Sequence, residues 1–249
     1  MKSLFSVLGV IGIASCTALS LGCVAPRSGV STASDFNSQV LASVRSMPAG
    51  GGYDGSDATK NLLHGACSLE GGAIDLDPGR ARPSFCSGAT YLVLLDALGS
   101  GPEALLPEMD QKDGHGIFGR WNSNGPGAAK LVADLGAGRN FTSWEEARPG
   151  DFLKIWWSDE IGGRERGHLV VYLGHDEETV RFWSSNRPGG YGKKSVPRSD
   201  CKRVLFTRIT APERFAGATR LPREDRWLAR MLKEEFTWAE VVRKCRVVE

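Results

Sequence analysis

The sequence predicts an α+β fold with an antiparallel sheet, and three observations predict it. Helical apolar spacing is concentrated ahead of residue 136 and again at the C-terminal end. Between them come four runs rich in β-branched and aromatic residues: Asp151–Trp157, His168–Gly174, Thr179–Ser184 and Arg203–Thr210. Only turn residues separate these runs. Parallel neighbours would need a crossover of a dozen or more residues, usually a helix, so the strands pair antiparallel. The composition is that of a soluble globular chain, with 41% apolar and 24% charged residues in 249. A net charge of +2 with no basic block excludes nucleic acid as a partner.

The elements follow in order. "MKSLFSVLGVIGIAS" carries one Lys, an apolar stretch too short to span a bilayer, and then small residues, the pattern of an export signal. Two cysteines close lipoprotein-type boxes, Cys16 in "IASC" and Cys23 in "SLGC". Residues 1–23 are thus a signal ending at one of them, with Cys23 preferred for the longer signal it closes. Residues 24–34, "VAPRSGVSTAS", form a flexible tether. The expectation is a membrane-anchored or periplasmic protein of the cell envelope, with simple secretion as the alternative. A main domain spans 35–210 and a helical extension 211–249. Export permits disulfides, and Cys201 with Cys245 is the first pairing to expect, because both lie outside the region that carries the chemistry.

Asp35 caps a first helix with Phe36, Val40, Leu41 and Val44 on one side. Two Gly-rich stretches, "PAGGGYDGSDATKN" and "SLEGGAIDLDPGRARPS", read as loops. From Cys86 the pattern turns helical, with Tyr91, Leu92, Leu94, Leu95 and Leu98 as an apolar stripe. A further helix starts near Pro126 and stops at Gly136. "SWEE" at Ser143–Glu146 is a capping-box pattern. The C-terminal segment reads as helical over Arg223–Phe236 and again in "TWAEVVRKC", with Thr237 and Glu240 spaced as another such box.

A cysteine at a helix start meets unpaired N–H groups and the positive end of the helix dipole, which favour thiolate over thiol. Cys86 occupies such a place. His168 opens an apolar strand after the charged loop "SDEIGGRERG", so its ring can point into a cleft. Cys86 and His168 are far apart in the chain, and only folding can join them. One strand later Ser184 and Asn186 share a face by the period-two rule, and either could orient the imidazole. "GIFGRWNSNGPG" offers Trp121 and Asn122 as a polar wall for substrate. His115 and His175 read as turn residues. His64 and Cys67, three apart, have no second pair to complete a metal site, so neither metal nor cofactor is expected.

"FCSGATYLVLLDAL", "RPGDFLKIWW", "GHLVVYLG" and "VRFWSSN" together resemble the NlpC-like papain-fold cell-wall peptidases and the related CHAP amidases. The resemblance covers Cys86 to about Asn186. It implies a papain-like domain, with Cys86 as nucleophile, His168 as base, and Asn186, or alternatively Ser184, as third member. It also implies a role for an upstream tyrosine, here Tyr53, 33 positions from the cysteine. Where the family often has Asp before the nucleophile, this chain has Phe85. The implied activity is hydrolysis of amide bonds in peptidoglycan stem peptides by a monomer. Acyl transfer by the same thiol, or a non-catalytic wall-binding module, are the alternatives.

Overall fold

The structure is a computed structural model and describes residues 35–100, 110–121, 125–222 and 224–249. Cys16, Cys23 and Asn122 lie outside them, as does the proposed tether. In chain order the elements are α1 (Phe36–Ser46), β1 (Gly50–Gly51), α2 (Asp57–Gly65), β2 (Cys67–Glu70), β3 (Ala73–Leu76) and α3 (Cys86–Gly99). Next come α4 (Gln111–Trp121), α5 (Gly127–Leu135), β4 (Gly138–Phe141), β5 (Phe152–Trp156) and β6 (Gly167–His175). The chain ends with β7 (Thr179–Asn186), β8 (Gly190–Pro197), β9 (Arg203–Ile209), α6 (Arg226–Arg230), α7 (Trp238–Cys245) and β10 (Val247–Val248).

The fold class is α+β. Eight strands form one sheet in the order β1-β8-β7-β6-β5-β9-β4-β10. Every pair is antiparallel except β10 with β4, which is parallel, so the sheet is mixed at one edge. The four expected strands are present within a residue or two of their expected bounds. Strand β8 escapes the apolar pattern because half of "GYGKKSVP", including Lys193 and Lys194, is exposed. Two loop expectations are corrected. Ser56 caps α2 by accepting from Thr59 N, and Gly71–Gly72, both at positive φ, turn β2 into β3 as a two-residue hairpin. Cys67 and Leu69 of β2, paired with Leu76 and Ile74 of β3, turn one face of that hairpin onto the core.

Helix α3 is buried nearly all round, from Gly88 to Leu98 with only Asp96 half-buried, and is not a one-sided stripe. A helix apolar on every face belongs in the middle of a core. Here α1 and α4 pack on α3, and β6 and β7 run beneath it. Phe152, Leu169, Val171 and Trp183 supply the sheet side of that core. The opposite face carries a second cluster, Leu153, Ile155, Val170, Tyr172, Phe182 and Phe206.

The turn "PGD" before β5 has a physical role in this packing. Gly150 sits at φ +94°, and a Cβ there would come within 2.6 Å of the Asn37 carbonyl. Asp151, fully buried, takes two bonds from Arg208 of β9 (2.8 and 2.7 Å), one from Asn37 of α1 (2.8 Å) and one from the Arg148 N–H (2.8 Å). This single carboxylate ties the first helix to the sheet.

Residues 211–249 belong to the same compact unit as the preceding residues. Trp227, Leu228, Met231, Val241 and Cys245 form a cluster with Trp156 and Leu205 of the sheet. The helix expected over Arg223–Phe236 is shorter: α6 covers Arg226–Arg230, capped by Asp225. It stops because the backbone beyond turns outward to bond the 161–163 segment, with Phe236 N on Ile161 O (2.9 Å) and Gly163 N on Met231 O (2.7 Å). The Thr237–Glu240 capping box forms as expected.

Candidate active site

Cys86 is the first residue of α3, half-buried, behind an N-cap residue, Phe85, that supplies no side-chain acceptor. Strand β6 brings His168 to it. Its hydrogen bonding explains how a helix start can approach a sheet so closely. Trp157 N donates to Arg166 O (2.8 Å), and by antiparallel alternation Leu169 and Val171 turn their N–H and C=O toward β7. Pairing with β7 begins only at Val171, opposite Trp183. Leu169 therefore lies just beyond the ladder. Its carbonyl accepts from Ser184 Oγ (2.9 Å), and its N–H acts on the Cys86 sulfur by lowering the thiol's pKa.

His168 Nε2 lies 3.1 Å from Asn186 Oδ1. The Asn186 amide nitrogen donates to Ser184 O (3.0 Å) and Gly192 O (2.9 Å), which fixes the amide with its oxygen toward the ring. The oxygen must accept, so Nε2 carries hydrogen and Nδ1 is left for the sulfur. Ser184 is fully buried and spent on Leu169, so of the two alternatives Asn186 is the one that touches the imidazole.

Burial alone would raise the Cys86 pKa. Hydrogen bonding from His168, its charge, the Leu169 N–H and the charge of Lys154 outweigh burial and bring it down to about 6. The Tyr53 hydroxyl lies 4.0 Å from the same sulfur. Residues 52–54 run beside Ser84, with Asp54 N on Ser84 O (3.0 Å) and Ser84 N on Gly52 O (3.2 Å), which closes the gap of 33 positions. Burial and the neighbouring Cys86 charge push the Tyr53 phenol up to about 12 against the opposing Arg187, so it stays a donor. Arg187 lies over its ring, 4.8 Å from the centroid.

A cleft of about 550 Å³ opens beside these groups, lined by Tyr53, His168 and Asn186 together with Trp157, Phe182 and Arg187 among others. Neither a family model nor a curated protein nor a solved structure matches this chain. The assignment of the site therefore rests on its own geometry.

Three expectations are corrected by that geometry. Trp121 is no substrate wall: it is buried, meets Phe152 edge-on, and donates from Nε1 to Thr90 Oγ1 (3.0 Å), bracing α3 from behind. Its place in α4 made this so, and the polar residues after it concealed the helix. Cys201 and Cys245 are not bridged. Both are free, Cys201 beside the Leu153 cluster and Cys245 inside the Trp156 cluster, on different faces of the sheet. His115 lies in α4, where its ring centroid is 4.3 Å from that of His64. Among the described residues no group of three or more His, Cys, Asp or Glu is arranged to hold a metal ion. Missed by the sequence reading were Lys154, Glu165 and Arg187. The loop charges around Glu165 gave no pattern that marked it as buried.

Proposed function

We propose that this protein is an exported cysteine hydrolase of papain-like architecture that cleaves amide bonds in peptidoglycan stem peptides. The observation that carries the reading is the contact set at one sulfur. Cys86 at a helix start, the His168 ring and the Leu169 N–H converge there, with Asn186 fixing the ring's tautomer. The resemblance of the Cys86–Asn186 segment to cell-wall peptidases supplies the substrate class, and the expected export signal supplies the compartment.

In this reading the Cys86 thiolate attacks the amide carbonyl carbon. N–H groups at the start of α3 hold the developing oxyanion. His168 gives its proton to the amide nitrogen as the C–N bond breaks, and the amine leaves. His168 then takes a proton from water, hydroxide adds to the thioester, and carboxylate and free thiolate are regenerated. The test is digestion of purified sacculi by the full chain and by Cys86→Ala, followed by mass spectrometry of the fragments. New amine and carboxylate termini are expected with the wild type alone, at unchanged thermal stability of the variant. Equal release by Cys86→Ala would overturn the nucleophile assignment. Transfer of the acyl group to an added amine in place of release would convert the reading to an acyltransferase.

A further inference from the structure

Beside the loop leading into His168 lies a buried ion pair between Lys154 and Glu165. Lys154 of β5 stands opposite Leu169, the residue whose N–H meets the Cys86 sulfur. Its ammonium contacts Glu165, and the two side chains are only 11% and 3% exposed. Desolvating both charges costs more than their mutual attraction commonly returns. A pair retained in such a place points to a task other than stability.

The surroundings indicate the task. Glu165 also accepts from Trp156 Nε1 (2.9 Å), Gly162 N (3.0 Å) and Gly125 N (2.8 Å), so its oxygens are saturated and the loop before His168 is tied to the entry of α5. Burial opposes its charge, but Lys154 and these N–H groups hold the carboxyl below its usual range. The ammonium lies close to the chain beside His168: a Cβ on Gly167 would lie 2.6 Å from Lys154 Nζ. Gly167 leaves room for a cation one residue before the candidate base.

We propose that Lys154 and Glu165 are positioning residues of the candidate site, the ammonium supporting negative charge on the Cys86 sulfur and the carboxylate limiting that support while fixing the loop that ends in His168. The inference rests on Cys86 being the reactive thiol. The other charged or titratable groups near that sulfur are His168 and Tyr53 with Arg187, while Arg166, Lys194 and Asp200 line the rest of the cleft. The charge of Lys154 contributes to the lowered Cys86 pKa.

The experiment is the pH dependence of iodoacetamide labelling of Cys86, followed by peptide mass spectrometry, in the full chain. The variants are Lys154→Met, Glu165→Gln and the double variant. The labelling midpoint should rise in Lys154→Met, by enough to slow labelling about threefold or more near pH 6. It should fall in Glu165→Gln, where the ammonium loses its counter-charge. The double variant should lie between Lys154→Met and wild type. A purely structural role moves all three in one direction, and that result, or no movement, overturns the inference. Should Lys154→Met fail to fold, the sign of the Glu165→Gln shift decides alone. A wild-type midpoint near that of a free thiol would instead defeat the nucleophile reading, which separates the two failures.

Discussion

At the scale of single residues, protonation decides reactivity. A thiol with its pKa brought down to about 6 is mostly thiolate at pH 7, whereas a free cysteine is a few per cent thiolate. Iodoacetamide labelling of Cys86 should therefore hold its rate from pH 8 to pH 7 and fall by half near pH 6. Asn186→Ala should lower kcat on the order of 10²-fold, because an imidazole free to rotate is out of line. Ser184→Ala should cost about 1 kcal/mol of stability with turnover within a few-fold of wild type. A steady-state assay beside a thermal melt separates the two, and the reverse ranking would reassign the third role. Cys86, His168 and Asn186 were legible in the sequence because each sits where an element begins or ends, and element ends are marked by turn chemistry. Trp121 was misread for the same reason. Its neighbours have the polarity of a loop, and only its packing against Phe152 and its bond to Thr90 show that it faces inward.

At the scale of elements, the motif before β5 is a joint. Asp151→Asn leaves Arg208, 6% exposed, without its counter-charge in the interior. Loss of one partner of such a pair costs about 3–5 kcal/mol. Chemical denaturation should show that loss, with the midpoint lowered and the slope preserved. Strands β5, β6, β7 and β9 were legible because aromatic and β-branched residues crowd them. Strand β8 was not, since its apolar content is confined to Tyr191, stacked on Trp183, and Val196, and the rest is held by register with β7. The Gly71–Gly72 hairpin was missed because β2 and β3 are only four residues each, although Cys67, Leu69, Ile74 and Leu76 alternate toward the core and paired glycines at positive φ are the usual turn there. Helix α2 was hidden by its polar sequence, and only its Ser56 cap marked it.

At the scale of the whole molecule, the C-terminal segment closes the structure. Asn140 of β4 donates to Cys245 O (2.7 Å) and Ala129 O (2.9 Å), joining α7, α5 and the sheet at one buried amide. Met231→Ala, at a fully buried position beside Gly125 and Gly162, should cost about 2–5 kcal/mol. Because Met231 and the Cys86 helix share one compact unit, calorimetry should show a single transition displaced as a whole. A separate early transition would mean that the last forty or so residues unfold on their own. Periodicity could suggest helices in this segment but not their docking, which depends on contacts with Trp156 and Leu205 far upstream.

The place of the Leu169 main chain beside Cys86 has an evolutionary corollary. Because the main chain donates to the sulfur, any amino acid except proline at position 169 keeps that donor, whatever its side chain. Part of what lowers the thiol's pKa is thereby written in a medium that mutation rarely erases, and a scan for polar side chains would never meet it.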